Sequence, residues 1–162
     1  MAGGAAGRVP PFARVAVLGG GAWGTALAQI LADTGADADA PAVTLWARDP
    51  VVAAAIRDRH LHPTALPDIP LSPRIAATAD LDTALAGADL LVAAVPAQAL
   101  RAVLRQLQPL LSDRASAGLP VLLCAKGLEI ASGKLLTTVV AEELPEPGRG
   151  SGAARTQVSW SG

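Results

Sequence analysis

The segment GGGAWG at residues 19–24 directly follows a short apolar run, Val15–Leu18. This order predicts a strand that turns sharply through glycine into a helix, with the spacing G-x-G-x-x-G. In that motif Gly19 permits the tight turn, Gly21 leaves room for a pyrophosphate beside the backbone, and Gly24 lets the helix pack closely on the strand. The unpaired N–H groups and the dipole of the helix N-terminus attract such an anion. The segment therefore predicts a dinucleotide-binding turn, and the alternative is a glycine turn with a purely structural role.

Short apolar runs alternate with helix-like stretches along the rest of the chain. The predicted strands are Val15–Leu18, Val43–Trp46, Ile75–Thr78, Leu90–Val95 and Val121–Cys124, with a sixth beginning near Val158. The predicted helices cover about residues 22–33, 50–60, 82–86, 98–107 and 135–143. The run at 90–95 is continuously apolar, as expected for a central parallel strand that is buried on both faces. We predict an α/β fold with a doubly wound parallel sheet, a Rossmann-like dinucleotide-binding domain.

Composition limits the class of protein. A length of 162 residues corresponds to one ordinary domain, and a net charge of −1 gives no indication of a nucleic-acid or membrane surface. The only cysteine, Cys124, excludes an internal disulfide framework and is typical of a reducing compartment. Residues 1–12, which are mostly small, are predicted to be a flexible N-terminus, and they lack the apolar core of a signal peptide. We expect a soluble, cytoplasmic protein.

The residues after the predicted second strand indicate the choice of cofactor. In a dinucleotide-binding fold an acidic residue there bonds the ribose 2′-hydroxyl of NAD, whereas an arginine accommodates the 2′-phosphate of NADP. This chain has Arg48 followed by Asp49. We predict that Arg48 forms a charge-assisted pair with a phosphate, the alternative being a solvated side chain. Asp49 is predicted to cap the next helix.

Two further segments lie after predicted strands, where ligands of open α/β sheets bind. Lys126 follows the fifth strand, and its ammonium group suits a phosphate or a polarised carbonyl. The alternative for Lys126 is an ordinary solvated lysine. The segment Val95–Gln98 follows the fourth strand, and two interpretations stay open for it. It is either a helix start that faces the ligand crevice or a purely structural turn.

The remaining polar residues give weaker signals. His60 and His62 are predicted to be solvated, because no cysteine or carboxylate at a suitable spacing completes a metal site. Cys124 is predicted to pack in the core. An exposed acidic patch is predicted at Glu142, Glu143 and Glu146. Since no Ser-His-Asp arrangement is present, we assign no catalytic residue and no metal ligand within the chain.

Several collinear segments together resemble the bacterial-type NAD(P)-dependent glycerol-3-phosphate dehydrogenases. They are GGGAWGTALA at 19–28, LWARDP at 45–50, LPDIPL at 66–71, AVPAQAL at 94–100 and AKGLE at 125–129. VSWSG at 158–162 resembles the start of the family's Ser-Gly-Pro-Ser-Phe-Ala segment. The resemblance implies reversible hydride transfer between NAD(P)H and dihydroxyacetone phosphate, which yields sn-glycerol 3-phosphate for phospholipid synthesis.

The resemblance also implies site residues and departures from the family's pattern. It implies substrate contacts at Lys126 and Gly162, and cofactor contacts at Gly19, Gly20, Gly21, Ala22, Trp23, Gly24, Arg48 and Lys126. Ala22 and Ala97 stand where the family usually has serine, and Ala65 stands where a tyrosine is common.

Family members are longer, and their helical C-terminal domain supplies the lysine that transfers the proton. We therefore expect residues 13–162 to be the NAD(P)-binding domain, the proton-transferring lysine to lie beyond Gly162, and this fragment to be inactive alone. The expected partners are dihydroxyacetone phosphate and sn-glycerol 3-phosphate, with no nucleic acid, no membrane insertion, and a homodimer in the full-length enzyme. Two alternatives are another two-domain NAD(P)-dependent dehydrogenase and a non-catalytic dinucleotide-binding module.

Overall fold

The computed structural model describes residues 12–34, 40–112 and 119–144 of the chain. Within them five parallel strands form one sheet in the order β3-β2-β1-β4-β5, and two short antiparallel strands form a hairpin, β6-β7. The elements are β1 Arg14–Leu18, α1 Ala22–Asp33, β2 Ala42–Trp46, α2 Pro50–Arg59, β3 Ile75–Thr78, α3 Leu81–Leu85, β4 Leu90–Ala93, α4 Ala97–Ser112, β5 Val121–Leu123, β6 Leu128–Glu129, β7 Lys134–Leu135 and α5 Leu136–Glu143. The predicted doubly wound parallel sheet is confirmed.

The core lies on both faces of this sheet because successive residues of a strand point to opposite faces. Ala16 and Leu18 of β1 belong to a buried cluster with the apolar residues of α3, α4 and α5. Val15 and Val17 belong to a second cluster with residues of α1 and α2. α4 contributes one apolar face to this core, since Leu100, Leu104 and Leu107 are fully buried.

The strand order places the glycine turn at a change of direction in the sheet. From β1 the chain proceeds to β2 and β3 on one side, and then crosses to β4 on the other side of β1. Leu18 at the end of β1 is in register with Trp46 of β2 and with Ala93 of β4. The turn that follows Leu18 therefore lies between the carboxyl ends of two strands, at the topological switch point where such sheets bind ligands.

Several element boundaries differ from prediction, and one hairpin was not predicted. β4 ends at Ala93 instead of Val95. α4 continues through Pro109 to Ser112, because Leu110 and Leu111 beyond the proline pack against the core. The hairpin β6-β7 was not predicted, since strands of two residues carry no readable alternation.

Some predictions fall on residues outside the described part of the chain. They are the flexible N-terminus up to residue 11, the sixth strand from Val158, Glu146 and the substrate contact at Gly162. Among the described residues, no helix is both long enough and apolar enough to cross a membrane.

Candidate functional site

The glycine turn is held tightly between β4 and α1. Gly19 has φ +122°, and a Cβ there would lie 2.8 Å from the carbonyl oxygen of Ala94 at the end of β4. A Cβ on Gly24 would lie 1.8 Å from the carbonyl oxygen of Gly19, so α1 packs directly on the turn. A Cβ on Gly20 would lie 2.4 Å from the Cβ of Ala47, which follows β2. The fold itself therefore requires glycine at positions 19, 20 and 24.

Gly21 is different, because the fold gives no reason for a glycine there. Its φ of −83° suits any residue, and a Cβ at this position would meet nothing within 4 Å. The space beside Gly21 is therefore open on the side where a side chain would project. A ligand that approaches the backbone at this point explains the glycine, whereas a purely structural turn does not.

The N-terminus of α1 offers unpaired donors beside this open space. The first helical hydrogen bond runs from the Thr25 N–H to the Gly21 carbonyl at 3.0 Å. The N-cap Gly21 has no side-chain acceptor, and the first turn has no acidic residue. Within the described residues no acceptor bonds the N–H groups of residues 21–24. These donors and the positive end of the helix dipole fit an anionic group such as a pyrophosphate.

Within the described residues, His62 is the one side chain that forms a hydrogen bond with the turn. Its ring is 2% exposed, and its Nε2 lies 2.7 Å from the carbonyl oxygen of Gly20. Its Nδ1 accepts from the backbone N–H groups of Thr64, at 3.2 Å, and Ala65, at 2.9 Å. Since Nδ1 accepts, Nε2 carries the proton and donates it to Gly20. The prediction that His62 is solvated was wrong, because the sequence does not show that the loop after α2 folds back over the turn.

Asp49 caps the next helix as predicted, whereas the phosphate contact of Arg48 stays a prediction. Asp49 is the N-cap of α2, and its Oδ1 accepts from the Val51 N–H at 2.8 Å. Arg48 is exposed, and its guanidinium has no hydrogen bond or ion pair within the described segments. It directly follows Ala47, which contacts Gly20 of the turn. A cation without a protein partner therefore lies next to the turn, while the neighbouring carboxylate is engaged in capping.

Lys126 lies beyond the end of β5, at the same edge of the sheet as the turn. Its side chain is exposed and has no ion pair with any residue that the structure describes. Gln98, in the first turn of α4, holds the chain just after it. The Gln98 amide donates to the Leu128 carbonyl at 2.9 Å and accepts from the Ile130 N–H at 2.9 Å. Of the two interpretations of Val95–Gln98, these bonds favour the structural one.

Comparison with known proteins shows the family to which the chain belongs. A family model described as the NAD-dependent glycerol-3-phosphate dehydrogenase N-terminus matches residues 14–153. The chain belongs to this family. It is 51% identical over 134 residues to the glycerol-3-phosphate dehydrogenase (NAD(P)+) of Caulobacter vibrioides, a match that covers 83% of this chain and 38% of that protein. With the enzyme of the same name from Rhodospirillum rubrum it shares 48% identity, over 82% of this chain and 35% of that protein.

Solved structures agree with this family membership. The glycerol-3-phosphate dehydrogenase of Coxiella burnetii superposes with a TM-score of 0.70 at 31% identity, covering 82% of this chain and 38% of that one. The chain thus spans less than two fifths of the length of these relatives. The resemblance to the glycerol-3-phosphate dehydrogenases inferred from the motifs is confirmed.

In this member of the glycerol-3-phosphate dehydrogenase family, an ion cluster holds α4, α5 and the hairpin together. Arg101 of α4 donates to both carboxylate oxygens of Glu129 at 2.8 Å and also pairs with Glu142 and Glu143. Glu143 pairs in addition with Arg105. Hydrogen bonds from Arg101 and Ser132 lower the pKa of Glu129 to about 2, and the bonds from Arg101 and Arg105 lower the pKa of Glu143.

This cluster corrects one prediction. Glu142 and Glu143 do not form an exposed acidic patch, because Glu143 is buried and both carboxylates are paired with cations of α4 and β7. Helix periodicity alone could not show this, since the partner Arg101 is 42 residues from Glu143. The cluster fixes the hairpin that follows Lys126 and takes no part in the open space at Gly21.

Cys124 is half-buried among apolar residues, and this burial raises the pKa of its thiol. The predicted core position is therefore confirmed. Within residues 12–34, 40–112 and 119–144, no group of three or more His, Cys, Asp or Glu side chains could hold a metal ion.

Proposed function

We propose that residues 13–162 form the NAD(P)-binding domain of a glycerol-3-phosphate dehydrogenase. The enzyme would interconvert dihydroxyacetone phosphate and sn-glycerol 3-phosphate and so serve glycerophospholipid synthesis. One observation carries the proposal: Gly21 lies against open space although the fold has no need of a glycine there, and the N–H groups of residues 21–24 have no acceptor in the described part of the chain. The family of the chain supplies the reaction, since its relatives bear the name glycerol-3-phosphate dehydrogenase (NAD(P)+).

The proposed cofactor contacts follow the turn. Gly19, Gly20 and Gly24 shape the backbone, and the N–H groups of Gly21, Ala22 and Trp23 donate to the pyrophosphate. Trp23 is 58% exposed, so its ring is free to cover a bound nucleotide. A bound nicotinamide supplies the hydride in this reaction class.

Arg48 and Lys126 provide the positive charge of the proposed site. Arg48 would bind the 2′-phosphate of NADP, because no carboxylate other than the helix-capping Asp49 follows β2 directly. This arrangement favours NADP over NAD. Lys126 would attract the phosphate of the substrate and contact the cofactor, and Gly162 is proposed as a second substrate contact. Both lysine and arginine would act electrostatically, without transferring a proton.

Proton transfer is assigned to residues outside this chain. Reduction of a ketone requires a proton at the developing alkoxide. Among the described side chains at the carboxyl edge of the sheet, Lys126 has no supporting partner, and both ring nitrogens of the buried His62 are engaged with backbone groups. We therefore propose that residues 1–162 bind nucleotide without reducing dihydroxyacetone phosphate. A cytoplasmic location, small-molecule partners alone, and a homodimer of the full-length enzyme complete the proposal.

A titration with NADPH tests the site. Gly21→Val should abolish saturable binding, because the branched side chain would fill the space beside the donors. Ala76→Val, which places the same valine side chain at an exposed position of β3, is the control and should bind like the wild type. Circular dichroism confirms that each variant is folded. A folded Gly21→Val protein with wild-type affinity for NADPH would overturn the proposal.

A further inference from the structure

Among the described residues, a single hydrogen bond holds the peptide between Gly20 and Gly21. The residue before it is fixed, because the Gly19 N–H donates to the Trp46 carbonyl at 3.0 Å. The residue after it is fixed by the first helical bond, from Thr25 to Gly21. Between these two points the Gly21 N–H has no acceptor among the described residues, and the Gly20 carbonyl accepts only from His62.

This peptide lies between two glycines, which allows it to rotate. Turning the peptide plane over changes ψ of Gly20 and φ of Gly21 by about 180° each, and glycine tolerates both signs of φ. From its value of −83° the φ of Gly21 would enter the positive region, which other residues avoid. A turned-over peptide would present a carbonyl oxygen, instead of an N–H, on the side that faces away from His62.

The bond from His62 prevents this rotation. In a trans peptide the C=O and the N–H point in opposite directions, and no described peptide bond is cis. When Nε2–H of His62 holds the Gly20 carbonyl at 2.7 Å, the Gly21 N–H must therefore point to the opposite side. The ring cannot turn away, because Nδ1 is held by the N–H groups of Thr64 and Ala65 and the side chain is 2% exposed.

We propose that His62 is a positioning residue of the nucleotide site: it fixes the Gly20–Gly21 peptide so that the Gly21 N–H stays available to the pyrophosphate. This inference rests on the proposed function. His62 itself does not touch the nucleotide and acts through the peptide alone. Without this bond, only some of the molecules have the peptide in the orientation that binds nucleotide. The apparent affinity is then the intrinsic affinity multiplied by that fraction.

Two variants with amide side chains test the two ring nitrogens of His62 one at a time. In Gln the side-chain N–H₂ lies about as far from the backbone as Nε2, so His62→Gln keeps the donor to Gly20 and loses the acceptor for residues 64 and 65. In Asn the amide oxygen stands in the place of Nδ1, so His62→Asn keeps the local acceptor and loses the donor to Gly20. His62→Ala loses both. His60→Asn, two residues away, is the matched control, because Asn tolerates the left-handed backbone of His60.

The first measurement needs no nucleotide. In ¹⁵N-labelled protein the ring of His62 should show the tautomer protonated at Nε2, and the Gly21 amide should give one sharp signal. We expect the same Gly21 signal in His62→Gln and His60→Asn, and a shifted or exchange-broadened signal in His62→Asn and His62→Ala. An unchanged Gly21 signal in both of these last variants would overturn the positioning role.

The second measurement is NADPH affinity. One hydrogen bond between neutral groups corresponds to about a five- to tenfold change in an equilibrium constant. We expect His62→Asn and His62→Ala to bind NADPH about tenfold more weakly than the wild type, and His62→Gln and His60→Asn to bind within about threefold of it. A role that is only structural predicts the reverse order for Gln and Asn, because Asn preserves the loop, and that order would refute the inference. If wild-type protein shows no saturable NADPH binding, the proposed function fails, while the Gly21 signal still decides the peptide's orientation.

Discussion

Replacement of Gly24 by alanine tests whether the fold, and not the ligand, requires this glycine. An added Cβ would lie 1.8 Å from the carbonyl oxygen of Gly19, 3.0 Å from its carbonyl carbon and 3.3 Å from the Cβ of Ala94. Real Cβ atoms stay about 3.0 Å or more from other heavy atoms, so α1 and the turn must separate by at least about 1.2 Å. The obstructing atoms belong to the backbone, and no side-chain rotation relieves the contact.

The cost follows from the interface that this movement opens. Ala28 and Ala32 are fully buried where α1 packs on the sheet, and a gap of 0.5–1 Å already forfeits about a quarter to a half of each dispersion contact. Overpacking of this kind costs typically about 1–3 kcal/mol and sometimes more, whereas alanine in a helix gains at most about 1 kcal/mol over glycine. Because backbone atoms obstruct the Cβ, the upper end of this cost applies, and we expect Gly24→Ala to lower the free energy of unfolding by about 2 kcal/mol net, or Tm by about 2–4 °C per kcal/mol.

Urea denaturation, followed by the fluorescence of the buried Trp46, measures this loss. Gly21→Ala is the matched control, because its Cβ meets nothing within 4 Å and its φ of −83° suits alanine. It should cost less than about 1 kcal/mol, the price of a poorer N-cap. If Gly24→Ala were as stable as Gly21→Ala, the reasoning from backbone contacts would be refuted.

Three further predictions concern charge and a buried hydroxyl. Arg48→Ala should weaken NADPH binding by about tenfold to a few hundredfold and leave NADH binding nearly unchanged, because one charge-assisted bond to the 2′-phosphate is lost. Equal losses for both cofactors in a titration would contradict this assignment. Glu129 has a pKa of about 2 in the folded protein against an ordinary 4.5, so it stabilises the fold above pH 4.5 and loses this contribution as pH falls towards 2. Thermal melts should therefore show a weaker acid dependence for Glu129→Gln than for the wild type, and equal slopes would argue against the ion pair with Arg101. Thr25→Val should raise stability by about 1 kcal/mol, since the Oγ1 of this buried residue has no partner among the described atoms, and a loss in urea denaturation would reveal a bond to that hydroxyl.

Local signals in the sequence predicted most of the elements. Hydrophobic runs placed the five strands of the sheet within two residues of their observed ends. One helix cap was readable as well, because Asp49 accepts from the N–H group two residues ahead, as its position before a helix predicted. These features depend on neighbours within one turn of chain, so one sequence suffices to find them.

Residues whose partners are distant in the sequence were misjudged. His62 was predicted to be solvated and is buried against Gly20, and Glu143 was predicted to be exposed and pairs with Arg101. The two contacts span 42 residues each. Burial of a polar side chain costs free energy unless it gains a hydrogen-bond partner, and only the tertiary fold determines whether a distant partner lies within reach.

The sequence by itself determined the alternating strands and helices, the glycine-rich turn between the first strand and the first helix, and membership of the family through its ordered motifs. These properties follow from backbone preferences and short-range periodicity, which each segment carries alone. Only the tertiary structure separated the glycines by role, because the contacts of Gly19 with Ala94 and of Gly20 with Ala47 exist only once β4 and β2 lie beside β1. It also left open the space where a Cβ of Gly21 would project and brought His62 to the turn, since both depend on which distant segments occupy the space around one peptide.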